Sequence, residues 1–335
     1  LECRCAGGSS GAATCCSSTA GTAGTEEVAR LDSIPTFRGF LDEPEAWVSA
    51  TLALPSALLI VCAFVSAAAH GALSIEKIEF EVTSPFERRA AVVGELRIPE
   101  SARERLPAVV IVNSSPGFDG RGAFYAEALN RAGIATLEVD MCQGRGLPAS
   151  PVHHLPHVFQ SLDYLAHHAR IDPTRVGVMG LSWGAQVALI ASSAELPRRY
   201  ASGNLRFRAH LPVYPQCWRI ATARHGQDTW LKGAPFKAVT GAPVHILTGE
   251  KDDYDGPDGC SMLVASMPAA VRSHYSVTVY EGATFGWDHR FGGASYEAGA
   301  KRGKGGIVTV VANPEVARQS QAFAVGFFTK HLAAD

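Results

Sequence analysis

Residues 174–194 read TRVGVMGLSWGAQVALIASSA, and the pentad from Gly180 to Gly184, Gly-Leu-Ser-Trp-Gly, decides the fold. The stretch before it is apolar and short, as a buried strand is, and the Ala-rich stretch after it reads as a helix. A Gly-x-Ser-x-Gly between strand and helix predicts a sharp turn that lifts the serine hydroxyl above a sheet. A Cβ at Gly180 or Gly184 would collide with the neighbouring strand or helix, which is why both positions are glycine. The helix start behind Ser182 favours negative charge developing there. The N–H of Trp183 points into the same space. The same pentad arises by chance in Gly-rich chains, so its flanks carry the weight.

The flanks repeat. Upstream, IEKIEFEV (75–82) alternates apolar and polar residues, VVGELRIP (92–99) ends at Pro99, and PAVVIVN (107–113) is wholly apolar until its last residue. The last of these is the composition of a central parallel strand covered on both faces. RGAFYAEALNRAG (121–133) has helical spacing with Gly133 at its C-terminal cap, and IATLEVD (134–140) follows as a strand. HVFQSLDYLAHHAR (157–170) is an amphipathic helix. Downstream lie three more expected strands, FRAHLPVY (207–214), APVHILTG (242–249) and SHYSVTVYE (273–281). One helix is expected over GCSMLVASMPAAV (259–271), and a last one, with Pro314 in its first turn, closes the chain. Alternating strands and helices predict an α/β fold, a mostly parallel central sheet with helices on both faces. Chemistry in such sheets sits on loops at the carboxyl ends of the strands.

The 335 residues carry 30 basic and 32 acidic side chains, with no basic run, so nucleic acid is not an expected partner. Residues 1–45 are Ser, Gly, Ala, Thr and Cys-rich at their start and are read as a disordered leader or non-native extension. The chain begins at Leu1 and its first Met is Met141, so a longer upstream sequence or a non-native start is expected. Residues 46–70 contain an uncharged apolar run ending in Ala67-Ala68-Ala69, which predicts a signal peptide cut near His70 and an exported product without stable membrane association. The alternative is a single membrane anchor over 46–69, whose length is close to a span. Residues 71–335 then form the folded domain, with three of the eight cysteines: Cys142, Cys217 and Cys260.

VMGLSWG, VYPQC, LTGEKDDYDGPDGC and VYEGATFGWD together resemble the α/β-hydrolase superfamily, in particular its dienelactone hydrolase-like branch, from about residue 75 to the C-terminus. Namesakes of that branch use cysteine; Ser182 matches its serine members. The resemblance implies an α/β-hydrolase fold and cleavage of small-molecule carboxylic esters or lactones through an acyl-enzyme, with no cofactor and no metal. It also implies an acid after the strand that follows the nucleophile helix, at Gly-x-x-Asp. That picks Asp252, with Asp253 as runner-up.

The base departs from the pattern. The family stretch resembles Tyr-Pro-Gly-Ala-x-His-Gly-Phe-Asp, and here its histidine position falls on Phe285, which accepts no proton. Three possibilities stay open: His289 on the same loop, first in order; a histidine of VHHLPH, that is His153, His154 or His157; or no base at all, leaving a catalytically impaired binding protein on a hydrolase scaffold. His153 and His157 are spaced for one helix face, as metal ligands can be, but Pro156 and the lack of a paired Glu argue against a metal site.

The second oxyanion donor is expected from the loop after PAVVIVN. Pro116 has no N–H, so Ser115 or Ser114 is the candidate beside Trp183. Arg145 stands at a strand end and either binds a substrate carboxylate or ties its loop to an acid. Cys217 and Cys260 follow neighbouring strands, and an exported protein could join them. Residues 217–236 interrupt the alternation and are expected to cap the pocket; Gly-rich 291–306 is expected to be a mobile loop.

Overall fold

The computed structural model describes residues 73–87, 90–100, 104–142, 150–224 and 236–334. Residues 1–70, with the expected leader and signal peptide, and Arg145 lie outside the described residues.

Eight strands form one sheet: β1 (Leu73–Val82), β2 (Ala90–Pro99), β3 (Leu106–Val112), β4 (Ala135–Asp140), β5 (Ile171–Leu181), β6 (His210–Val213), β7 (Val244–Lys251) and β8 (Tyr275–Thr284). Their spatial order is β1-β2-β4-β3-β5-β6-β7-β8. β2 runs antiparallel to both β1 and β4, and every other pair is parallel. This is the α/β-hydrolase fold.

The central strands are apolar on both sides because both sides are covered. In β3, Ala108, Val110 and Val112 enter one core while Val109 and Ile111 enter the other. The helices that cover them are α1 (Arg121–Arg131), α2 (Leu155–His167), α3 (Trp183–Ile190), α4 (Glu195–Tyr200), α5 (Cys217–Arg224), α6 (Gly259–Ala265), α7 (Ala269–Arg272), the one-turn α8 (Ala300–Gly303) and α9 (Pro314–His331). Phe328 of α9 fills the space over β5 that Gly177 leaves; a Cβ on Gly177 would lie 2.6 Å from its ring.

Two expectations are corrected. The helix expected over 259–271 is two helices, α6 and α7, because Pro268 cannot continue the first and instead starts the second. The stretch 291–306 is not a featureless loop. It forms most of an antiparallel hairpin, β9 (Gly293–Glu297) with β10 (Gly306–Val310), whose connection contains α8. Gly303, Gly305 and Gly306 hold positive φ there and make the reversal possible. In the segment 217–236, residues up to 224 form α5, and 225–235 lie outside the described residues. Among the described residues no helix is long and apolar enough to cross a membrane.

Candidate active site

Ser182 lies between β5 and α3 with φ 53° and ψ −110°, a conformation few non-glycine residues adopt. Its N–H donates to Val213 O at 3.0 Å, which ties the turn to the end of β6. The flanking glycines are required by contact. A Cβ on Gly180 would lie 2.1 Å from Gly184 O, and one on Gly184 would lie 2.2 Å from Val112 O. Trp183 is the first residue of α3, so its N–H has no partner within the helix.

Asp252 is 3% exposed in the loop after β7. Its Oδ1 accepts from the N–H of Tyr254 at 2.8 Å and of Asp255 at 3.4 Å. Its Oδ2 has no hydrogen-bond partner among the described residues. Burial, reinforced by the Asp255 charge, pushes its carboxyl up to about 7. Asp253 turns the other way: its Oδ2 accepts from Thr309 N at 2.8 Å and its carbonyl from Lys301 N at 2.7 Å, so it fastens the hairpin.

Phe285 packs against the loop that carries this acid. The end of β8 runs against the Asp252 loop so closely that a Cβ on Gly249 would lie 2.4 Å from Ala283 O. The Phe285 ring is 8% exposed, with Tyr254 at 4.8 Å on one side and Tyr214 at 5.0 Å on the other. Tyr214 directly follows Val213, the residue that holds Ser182 N–H. Phenylalanine thus stands between the acid loop and the strand end beside the serine, in an aromatic cluster.

The structure brings no histidine onto Ser182, whose hydroxyl makes no hydrogen bond among the described residues. His289 closes a turn with its N–H on Gly286 O at 3.0 Å, and its half-buried ring packs on Gly286. Burial first, then the nearby Arg121 charge, lower it from its ordinary value, against the pull of Asp288 and Asp119. His154 instead takes a hydrogen bond from Trp183 Nε1 at 3.0 Å, His157 stacks edge-on against His154, and His153 packs on Phe86.

The loop after β3 holds Ser114 and Ser115. Ser115 is exposed, and Ser114 starts a turn closed by Gly117 N on its carbonyl at 3.0 Å. The Ser114 hydroxyl is engaged by Arg121.

Arg121 belongs to a network that no sequence motif marks. Its Nη1 donates to Tyr214 OH at 3.1 Å, and Tyr214 OH in turn donates to Asp288 at 2.7 Å. Tyr125 OH reaches the other Asp288 oxygen at 2.9 Å. Burial raises the Asp288 carboxyl above its ordinary value, with Arg121 and the two phenols opposing. Residues from the carboxyl ends of β3, β6 and β8 are therefore braced together. The signal available in the sequence was position: Tyr214 directly follows β6, as Ser182 follows β5 and Asp252 follows β7, and Asp288 lies four residues beyond the end of β8.

Cys217 and Cys260 form a disulfide with Cα atoms 4.9 Å apart, joining α5 to α6. Asp255 accepts from Trp218 N at 2.8 Å at the start of α5. Its carboxylate lies within 4.8 Å of both sulfurs, the one cluster of potential metal donors among the described residues, but the disulfide takes up both thiols.

No protein-family model and no curated protein sequence matches the chain. Solved structures do. A dienelactone hydrolase-like promiscuous phosphotriesterase from metagenomic libraries superposes with a TM-score of 0.55 at 16% identity, over 78% of this chain and 99% of that one. The dienelactone hydrolase of Anabaena variabilis gives 0.50 at 17% identity, over 77% and 99%. Est1E of Butyrivibrio proteoclasticus gives 0.51 at 14% identity, over 76% and 99%. At these identities the likeness is one of fold.

Proposed function

We propose that this protein is a serine hydrolase of carboxylic esters or lactones, with turnover held back by the phenylalanine at position 285. The observation that carries the proposal is the backbone of Ser182. Its strained dihedrals and two obligatory glycine neighbours present a hydroxyl at the start of a helix, where an oxyanion is favoured.

Ser182 Oγ attacks the acyl carbon, and its proton passes to a base. The carbonyl oxygen becomes an oxyanion facing the N–H groups of Trp183 and of Ser115 or Ser114. The alcohol leaves with the proton, and water then releases the acyl group as a carboxylic acid. His289 is the base assigned to this step and Asp252 the acid that would orient it. The lowered pKa of His289 leaves its ring neutral, and so able to accept a proton, at pH 7. Reaching Ser182 requires the Gly286–His289 turn to swing, and that step is proposed to be the slow one. The Cys217–Cys260 disulfide supports an oxidising, exported location.

The Phe285 packing favours a second reading, a hydrolase-fold protein that binds such ligands without turning them over. Short-chain nitrophenyl esters and an alkyl fluorophosphonate distinguish the two. The expected result is slow ester turnover and a single covalent adduct by intact mass, both absent in Ser182→Ala. A wild-type protein with neither turnover nor adduct would be the binder.

A further inference from the structure

The sheet carries a second concavity, at the end opposite Ser182. The amino ends of β7 and β8 and the last turns of α9 line an open cleft of about 630 Å³. Ligand pockets commonly span roughly 300–1,000 Å³. Ser182 and Asp252 stand at carboxyl ends of strands, so this cavity belongs to neither.

Two glycines line it, and one of them answers to no demand of packing or backbone. Gly326 lies inside the 18-residue α9, where glycine costs about 1 kcal/mol relative to alanine. A Cβ there would meet nothing within 4 Å, so no neighbour's approach demands glycine. Gly241, on the loop before β7, holds φ 85°, which by itself favours glycine, and a Cβ there would also meet nothing within 4 Å. Both line the cavity.

The walls are flat rings. Phe323 and Phe327, one helical turn apart, hold their rings 6.2 Å apart and within 17° of parallel. The His245 ring lies 4.4 Å from Phe323, with its Nε2 engaged by Thr278 Oγ1 at 2.8 Å. Lys330 stands exposed at the edge, and Ser273 and Ser276 add hydroxyls. No Asp or Glu is among the lining residues.

We propose that this cavity binds a small aromatic carboxylate, its ring against Phe323 and Phe327 and its anionic group at Lys330. An ammonium with no acid among the lining residues selects an anion, and the rings select a planar apolar body. Burial drops His245 to about 4 and also lowers His331, so both are neutral at pH 7. They offer hydrogen bonds without adding charge, which suits a monoanion better than a polyphosphate. The assignment does not depend on hydrolysis at Ser182.

Calorimetric titration of the full chain with 1-naphthoate tests it. One equivalent binds the wild type, and Ser182→Ala binds equally well. Lys330→Glu weakens binding about two- to fivefold, and so does replacing the ligand by uncharged 1-naphthamide. Gly326→Leu, which fills the cavity, abolishes binding. Where Gly326→Leu fails to fold, the exposed Lys330→Glu decides the matter. No binding to the wild type, or equal affinity in Lys330→Glu, overturns the proposal.

Discussion

A buried carboxylate oxygen without a donor is costly, and Asp252 Oδ2 is one. The carboxyl answers by holding its proton up to about pH 7. Its folded pKa is raised above the ordinary 3.8, so what the protonated group contributes to stability is lost as the pH rises from about 4 to about 7. Asp252→Asn removes that titration. Chemical denaturation across this range should show the wild type losing stability relative to Asp252→Asn as the pH increases; parallel curves would mean that Asp252 is already ionised. Position 285, packed against the loop that carries Asp252, holds a ring with no proton to donate. Phe285→His places an imidazole between Asp252 and the Ser182 turn, and a positioned base contributes about 10²–10⁴ in rate. Nitrophenyl ester hydrolysis by Phe285→His should exceed wild type by about 10² or more. An unchanged rate would show that the ring at 285 does not reach the serine. At this scale the sequence was most informative where a motif has mechanics of its own. The Ser182 turn was legible from two glycines. The Asp252 position was legible from its distance after Gly249, while its unpaired oxygen was not. The Arg121–Tyr214–Asp288 brace was hidden, because its members are 93 and 74 residues apart and meet only through the fold.

Among elements, strands with continuous apolar text and helices with clear periodicity were legible: β3, β5, α1 and α9 fall within a few residues of expectation. The β9–β10 hairpin was not. Its text is Gly-rich and weakly apolar, and tertiary contacts hold it, with Asp253 on Lys301 and Thr309, and Arg302 on Asp255 O at 2.8 Å. Periodicity cannot report contacts that arise outside the segment. The α5–α6 pairing was partly legible, since two cysteines after neighbouring strands could meet. The bridge closes a separation of 43 residues, which in the chain-entropy account corresponds to about 4 kcal/mol. Cys217→Ser combined with Cys260→Ser should lower unfolding stability by that order, and reductant should have the same effect on the wild type. A denaturation midpoint insensitive to both would mean that the thiols are not joined in solution.

At the scale of the whole molecule, two cores share one sheet, and β5 belongs to both. Phe328 and the Arg175 Nε bond to Leu332 O at 2.7 Å fix the C-terminal helix to this strand, on which Ser182 is the next residue after Leu181. The overall α/β order was legible because strand and helix text alternates through most of the chain. The N-terminal 70 residues lie outside that pattern. Dihedrals such as those of Ser182 cost about 1–3 kcal/mol, and glycine relieves them while adding somewhat less back through unfolded-chain entropy. Ser182→Gly should therefore raise the melting temperature by a few degrees, about 2–4 °C per kcal/mol in a domain of this size. A calorimeter can thus weigh the tension that the chain holds where its sheet hands over to a helix.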